Sequence, residues 1–192
     1  RIKSDKTEGL TVSTFHSLGL RFLQIELERA KLRRGFSIFD SDDQLGIIKD
    51  LSPPGLKNDA LQALHGLISK AKNNGLSPEE AFELARSARE REAANLYDRY
   101  QARLQAFNAV DFDDLIRIPL MLLDQDKDLA PAWRERLRYL LVDECQDTNG
   151  AQYRLLRHLA GPKGNMTCVG DDDQSIYAWR GAQPENLDLL GK

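Results

Sequence analysis

The chain has 192 residues, of which 41% are hydrophobic and 30% charged, and its net charge is −3. This length and apolar content suffice for one or two domains with a hydrophobic core. No apolar run reaches the roughly 18 residues of a membrane-spanning helix, and no secretory leader pattern occurs, so we expect a cytoplasmic protein with no membrane partner. The net negative charge excludes binding of nucleic acid through overall charge, so any such surface must be local.

Residues 10–13 predict the first of three short buried strands of a parallel sheet, because the run is largely apolar and bounded by polar residues. It is followed by Thr14, Phe15 and His16, and then by a predicted apolar helix. Hydroxyl and backbone N–H groups at a helix start can hold a phosphate. His16, taken alone, is more often a structural histidine than a functional one.

The long stretch between the first and second predicted strands carries helix signals almost throughout. Asp40 or Ser41 caps one helix, a second ends near Asn73, Ser77 and Glu80 form the capping box of a third, and a fourth carries an apolar stripe that includes Phe107. A crossover between parallel strands needs only about a dozen residues. We therefore predict an α/β domain formed by residues 1–16 and 110–192, with an inserted all-helical subdomain over residues 17–109.

Residues 139–142 predict the second strand, and Asp143 and Glu144 follow it directly. An acid at a strand end can hold Mg²⁺, directly or through its waters, and a neighbouring acid can orient and deprotonate the water that attacks a γ-phosphate. The two acids can take different roles only if the strand has already ended there. The alternative is a pair of exposed acids that begin a loop, with Thr148 or Asn149 capping the next helix.

Residues 166–169 predict the third strand, and three aspartates and Gln174 follow it. Because like charges raise one another's pKa, the aspartate run is either a solvated loop or part of a site where a cation compensates the charge. Tyr177, Trp179 and Arg180 come next. They offer flat faces for base stacking and a cation for a nucleic-acid backbone, or else they pack in a core.

Ligands in open α/β sheets bind outside the carboxyl ends of strands, so the three strand-end clusters predict one shared site.

Taken in order, with the helical stretch between them, these motifs resemble the UvrD/Rep family of superfamily 1 DNA helicases. The strings that carry the resemblance are STFHSLGL, VDFDDLI, YLLVDECQDTN and VGDDDQSIYAWRGA followed by PENL, and FSIFDSDDQL is similar to the family's second subdomain. The resemblance covers essentially the whole chain. One residue departs from it, because the position after the acid pair is usually aromatic in this family and is Cys145 here; we expect Cys145 to be a packing position.

The resemblance implies an incomplete RecA-like parallel sheet of a P-loop NTPase motor domain, and it implies a role for each motif residue. Asp143 is the Mg²⁺-associated acid, Glu144 the general base, and Gln174 the residue that contacts the γ-phosphate and couples it to DNA. The residues implied to contact single-stranded DNA are Thr14, Phe15, His16, Tyr177, Trp179 and Arg180. For the block DFDDL at 111–115, a functional role and helix capping both remain open.

The resemblance further implies that the chain is an internal piece of the first motor domain of an ATP-dependent helicase. Such an enzyme uses ATP and Mg²⁺ to move 3′→5′ on single-stranded DNA and to separate strands at duplex junctions. The phosphate loop G-x-x-x-x-G-K-[ST] does not occur in the chain, so we expect it upstream of Arg1, a second motor domain downstream of Lys192, and no activity from the piece alone. Two alternatives are the motor subunit of a helicase-nuclease and a catalytically inactive DNA-binding module.

Overall fold

The structure is a computed structural model that describes residues 9–171, and within that range it is a mixed α/β arrangement. The helices are α1 (Phe15–Ile25), α2 (Ser41–Leu51), α3 (Asn58–Asn73), α4 (Pro78–Glu83), α5 (Ala88–Ala106), α6 (Asp114–Gln125), α7 (Leu129–Arg136) and α8 (Gly150–Ala160). The strands are β1 (Ser37–Phe39), β2 (Ala109–Asp111), β3 (Leu140–Val142) and β4 (Met166–Cys168). They form two parallel pairs, β1 with β2 and β3 with β4. Strand β1 lies within residues 17–109, so the prediction that this stretch is all-helical is wrong. None of the helices in this range is long and apolar enough to cross a membrane.

Two of the three predicted strands are confirmed, because β3 and β4 lie where residues 139–142 and 166–169 indicated. The strand predicted at residues 10–13 is wrong. This segment has no regular secondary structure, and the side chain of Val12 is 87% exposed. A strand needs a neighbour to accept and donate its backbone hydrogen bonds, and none of the described strands pairs with this segment. It leads instead straight into α1, whose N-cap is Thr14.

The predicted helices are confirmed, and their boundaries follow from side-chain caps. Asp40 caps α2 in a capping box with Asp43, and Ser77 caps α4 in a capping box with Glu80. One detail of the predicted stripe is wrong, since Phe107 is 54% exposed. Helix α5 ends at Ala106, so Phe107 lies beyond the last turn and does not continue the buried face.

Apolar side chains form two main clusters that meet at β2. Helices α1, α6, α7 and α8 share the first cluster, in which the rings of Phe22 and Trp133 stack with centroids 4.3 Å apart. Helices α2, α3 and α5 share the second, which is built on residues such as Ile48. Successive residues of a strand point to opposite faces. Accordingly, Ala109 belongs to the second cluster and its neighbour Val110 to the first.

The first cluster requires a close approach between α1 and α6. A Cβ atom placed on Gly19 of α1 would lie 1.7 Å from the backbone oxygen of Leu115 in α6. That separation is far inside van der Waals contact, and backbone atoms cannot rotate out of the way. Only glycine therefore fits at this crossing.

We expect Gly19→Ala to lower the midpoint of thermal unfolding markedly, because the two helices must move apart and overpacking costs about 1–3 kcal/mol or more. Gly66→Ala is the matched control, since Gly66 lies inside α3 and a Cβ atom there would meet no other described element within 4 Å. An alanine at this position should stabilise the helix by roughly 0.5–1 kcal/mol. Equal midpoints for the two variants, measured by differential scanning fluorimetry, would contradict the close contact.

Candidate functional site

The acid pair lies at a sharp change of backbone direction. Strand β3 ends at Val142, and Glu144 adopts a left-handed conformation with φ 53° and ψ 43°. The backbone N–H of Glu144 donates to Oδ1 of Asp143 (3.0 Å), and both carboxylates are exposed. The strand has therefore ended before the two acids, which is the condition under which they could take the separate roles predicted for them. A left-handed non-glycine residue costs about 1–3 kcal/mol and is a feature that clusters at functional sites.

The segment after the acids is held by a 3₁₀ turn, Cys145–Asp147, and by the start of α8. The hydroxyl of Thr148 donates to the backbone oxygen of Cys145 (2.7 Å). Of the two predicted capping residues, Asn149 is the one that caps α8. Its Oδ1 accepts from the N–H of Gln152 (2.9 Å), and Oε1 of Gln152 accepts from the N–H of Asn149 (3.0 Å). Both ends of this short connection are thereby fixed.

Cys145 packs behind the acid pair, as the sequence predicted. It is fully buried against Val142 and Leu156, and its N–H donates to the backbone oxygen of Val169 (3.0 Å). Burial raises the pKa of its thiol to about 12, so the side chain stays neutral. Phe15 packs against the same small cluster. Phe15 of the first motif and the acid-pair motif are therefore neighbours in space.

The rest of the first motif lies at the start of α1. Oγ1 of Thr14 accepts from the N–H of Ser17 (3.2 Å), so this hydroxyl caps the helix. The ring of His16 lies 5.6 Å from the ring of Phe112, centroid to centroid, and Phe112 is 55% exposed. Burial lowers the pKa of His16, and the negative charge of Asp113 opposes that effect. His16 and Phe112 thus form an aromatic pair at the surface.

Gln146 links the acid pair to Asp171, the first aspartate of the third motif. It was not among the site residues predicted from the sequence. Its Nε2 donates to Oε2 of Glu144 (2.5 Å), and its Oε1 accepts from the N–H of Asp171 (3.1 Å). Gln146 is only 1% exposed. A single glutamine in a turn carries no periodic signal, so nothing in the sequence distinguished it from a solvated residue. The predicted site residues Gln174, Tyr177, Trp179 and Arg180 lie outside the described residues.

The aspartates of the DFDDL block do more than cap a helix. Asp111 provides the cap, because its Oδ1 accepts from the N–H of Asp114 (2.8 Å), whereas Asp113 makes no side-chain capping bond to α6. The other oxygen of Asp111, Oδ2, accepts from Nζ of Lys72 (2.6 Å) and from the hydroxyl of Tyr100 (2.9 Å). Lys72 was not among the predicted site residues, since a lysine near the end of a helix is ordinarily solvated.

Lys72 is fully buried, and its ammonium lies 2.6 Å from Asp111 Oδ2 and 3.0 Å from Asp114 Oδ1. Burial and the charge of Asp111 raise the pKa of Asp114 to about 6, against the opposing charges of Lys72 and Arg117. Burial acts to raise the pKa of Asp111, but the charge of Lys72 and the hydrogen bonds from Lys72, Asp114 and Tyr100 together outweigh burial and lower that pKa. Asp111 is therefore the permanent counter-ion of Lys72, whereas Asp114 can take up a proton.

A short hydrogen-bonded path leads from this cluster to the acid segment. Asn73, which follows Lys72 in α3, donates from Nδ2 to Oδ1 of Asp113 (3.0 Å). Nδ2 of Asn149, the cap of α8, donates to Oδ1 of Asn73 (2.6 Å). The end of α3 thus contacts both the DFDDL block and the connection that follows the acid pair.

We expect Asp111→Asn and Asp114→Asn to behave oppositely near neutral pH. Asp111→Asn leaves the buried Lys72 without its permanent counter-ion and should cost about 3–5 kcal/mol. Asp114→Asn removes a carboxylate that is costly to ionise in place and should cost little at pH 7. Thermal unfolding midpoints of both variants and the unmodified protein measure the difference, and equal losses would contradict the assigned charges.

Asp114 also predicts a pH dependence. Its folded pKa of about 6 exceeds the usual value near 3.9, so its stabilising contribution is fully present below about pH 4 and is lost as pH rises through about 6. In the unmodified protein this group should therefore raise the unfolding midpoint as pH falls from 7 to 5. Asp114→Asn should remove that contribution, and an unchanged pH profile would contradict it.

Sequence comparison gives one family and a set of relatives. The family described as UvrD/REP helicase N-terminal domain matches residues 1–192. ATP-dependent DNA helicase Rep from Escherichia coli (strain K12) is 44% identical over 189 residues, which are 97% of this chain and 28% of that protein. ATP-dependent DNA helicase PcrA from Staphylococcus aureus (strain Mu50 / ATCC 700699) is 37% identical over 194 aligned residues, 97% of this chain and 26% of that protein. The chain thus spans little more than a quarter of the length of these relatives.

Proposed function

Because the chain belongs to the UvrD/REP helicase N-terminal domain family, we propose that it is part of the first motor domain of an ATP-dependent DNA helicase. The whole protein would hydrolyse ATP to move 3′→5′ on single-stranded DNA and to separate strands at duplex junctions, and it would act in the cytoplasm. The observation that carries this proposal is the exposed acid pair at the end of β3, with Glu144 turned by its left-handed backbone and bonded to Gln146. The relatives are named ATP-dependent DNA helicase Rep and ATP-dependent DNA helicase PcrA, and these names support an ATP-dependent DNA helicase activity.

We propose a RecA-like motor portion at residues 1–16 and 110–192 and a helical insertion at residues 17–109. The separate apolar cluster of α2, α3 and α5 supports an inserted unit. The parallel pairing of β3 with β4, joined through α8, supports the motor portion because a helical crossover between parallel strands is the basic unit of such sheets. Most of helix α1 lies within the proposed insertion, but α1 packs in one cluster with α6, α7 and α8 of the motor portion. The beginning of the insertion therefore packs against the motor portion.

The donor set at the end of β3 is compatible with Mg²⁺. Among residues 9–171, no three acidic, histidine or cysteine side chains converge as a closed metal site. Mg²⁺ does not need one, because it keeps several waters and is commonly held by one or two carboxylates together with substrate phosphates. Asp143 would hold the ion, which when bound would neutralise charge on the phosphates of ATP.

In this proposal Glu144 acts as the general base. Its carboxylate is exposed to solvent and fixed at one oxygen, Oε2, by Gln146, which leaves Oε1 to accept the proton of a water. The water oxygen bonds to the γ-phosphorus as the bond from that phosphorus to ADP breaks, and the products are ADP and phosphate. Gln174 would contact the γ-phosphate.

For DNA, we propose contacts from Thr14, Phe15 and His16 and from Tyr177, Trp179 and Arg180. The first set lies beside the acid segment, because Phe15 packs on the cluster around Cys145. The surface pair of His16 with Phe112 provides ring faces of the kind on which bases stack. This neighbourhood would let DNA and nucleotide affect one another across a short distance.

Glu144→Gln in the full-length protein tests the proposal. We expect DNA-stimulated ATP turnover to fall by about 10²–10⁴-fold, the usual contribution of general acid–base catalysis, while the Kd for a fluorescent ATP analogue stays within about twofold. The matched control is Glu135→Gln, which makes the same change at an exposed glutamate in α7. Near-normal turnover in Glu144→Gln would exclude Glu144 as the base. An unmodified protein without ATPase activity would favour a catalytically inactive DNA-binding module.

A further inference from the structure

We propose that Gln146 is a positioning residue that holds the Glu144 carboxylate and couples it to the segment after β4. This inference rests on the proposed function, since it concerns the base of the proposed hydrolysis. Gln146 belongs to the motif of the acid pair, and its side chain also contacts the segment after β4. The amide of Gln146 makes two hydrogen bonds, the side chain is buried, and Gly170 leaves space for it.

The amide of Gln146 is used at both ends, and its orientation is determined by its partners. An ionised carboxylate can only accept a hydrogen bond and a backbone N–H can only donate one. Nε2 must therefore face Oε2 of Glu144, 2.5 Å away, and Oε1 must face the N–H of Asp171, 3.1 Å away. A rotation of the amide by 180° would break both bonds.

Burial makes these two bonds difficult to exchange for water. Gln146 is 1% exposed, whereas the Glu144 side chain that it holds is exposed. Within residues 9–171, no other side chain is seen to donate to the Glu144 carboxylate. An exposed glutamate normally samples several rotamers. The hydrogen bond from the buried Gln146 amide selects one of them for Glu144. The fixed rotamer presents Oε1 in a single direction, as a base that must align a water requires.

Gly170 allows the amide to approach the segment after β4. A Cβ atom on Gly170 would lie 2.6 Å from Oε1 of Gln146 and 3.3 Å from the backbone N of Cys145. A side chain at position 170 would therefore push the Gln146 amide away from Asp171. The same displacement would disturb the bond to Glu144, because both bonds belong to one rigid planar group. Position 170 thus offers a second way to test Gln146 without changing it.

The coupling follows from where Asp171 lies in the chain. It begins the DDDQ run that leads to Gln174, the residue proposed to contact the γ-phosphate. A shift of this segment changes the position of the Asp171 N–H and hence of the Gln146 amide and the Glu144 carboxylate. Gln146 would in this way make the orientation of the Glu144 carboxylate depend on the position of the segment after β4.

The test uses three variants of the full-length protein. Gln146→Met keeps the volume of the side chain and removes both bonds. Gln146→Glu retains an acceptor for the Asp171 N–H but, when ionised, cannot donate to Glu144. Gly170→Ala displaces the amide from the other side. For each we would measure kcat and KM for ATP with and without single-stranded DNA, the Kd of a fluorescent ATP analogue, and the thermal unfolding midpoint.

Two controls separate positioning from stability. Gln152→Met makes the same replacement at the glutamine that holds the Asn149 N–H, without contact to Glu144, and Gly66→Ala makes the same change at an open glycine. We expect all three test variants to lose DNA-stimulated kcat by about tenfold or more, with KM and Kd within about threefold. The two controls should keep kcat within about twofold, although Gln152→Met lowers the unfolding midpoint.

Each outcome decides the proposal. A Gln146→Met kcat within twofold of the unmodified protein would overturn it, as would an equal loss in Gln152→Met at the same drop in midpoint. If Gln146→Met does not fold, Gln146→Glu and Gly170→Ala give the answer, and normal kcat in both would overturn the positioning role. The proposed function fails separately, if the unmodified protein shows no DNA-stimulated ATPase or if Glu144→Gln retains it.

Discussion

The buried ion pair between Lys72 and Asp111 is the interaction on which the relative positions of the other elements depend. An ammonium removed from water is very unfavourable unless a counter-ion and hydrogen bonds replace its hydration. Lys72 comes from α3 and Asp111 from β2, and the hydroxyl of Tyr100 in α5 completes the shell around the carboxylate. These three elements cannot slide past one another without exposing an unpaired charge. The pair therefore fixes the helical cluster against the strand that leads into α6.

The candidate site combines segments that are distant in sequence but meet around the connection from β3 to α8. Phe15 packs on the cluster of Cys145, Gln146 bonds to the segment after β4, and Asn149 bonds to the end of α3. The acid pair is the exposed part of this connection, and its support is almost entirely buried. Reactive groups held on a buried and hydrogen-bonded base meet the physical requirement for a preorganised site.

Local signals in the sequence predicted the helices and the strands that flank the acid pair, because caps and apolar runs act over a few residues. The same reasoning failed at residues 10–13, where a strand also depends on a partner supplied from elsewhere in the chain. It missed β1 and β2, since each has only two apolar residues in succession, Ile38-Phe39 and Ala109-Val110, and so forms no apolar run like those at 139–142 and 166–169. Lys72 and Gln146 could not be predicted either. Their roles arise only when folding buries Lys72 beside Asp111 and Gln146 between Glu144 and Asp171, and sequence spacing does not reveal which polar side chains become buried.

Strand β2 has one residue in each of the two apolar clusters, and this has a consequence for local unfolding. A strand shared in this way cannot release one cluster to solvent while it keeps the other intact, because Ala109 and Val110 are joined by a single peptide bond. Segments that open together form one cooperative unit in native-state hydrogen exchange. The amides of β2 should consequently exchange only through openings that involve both clusters.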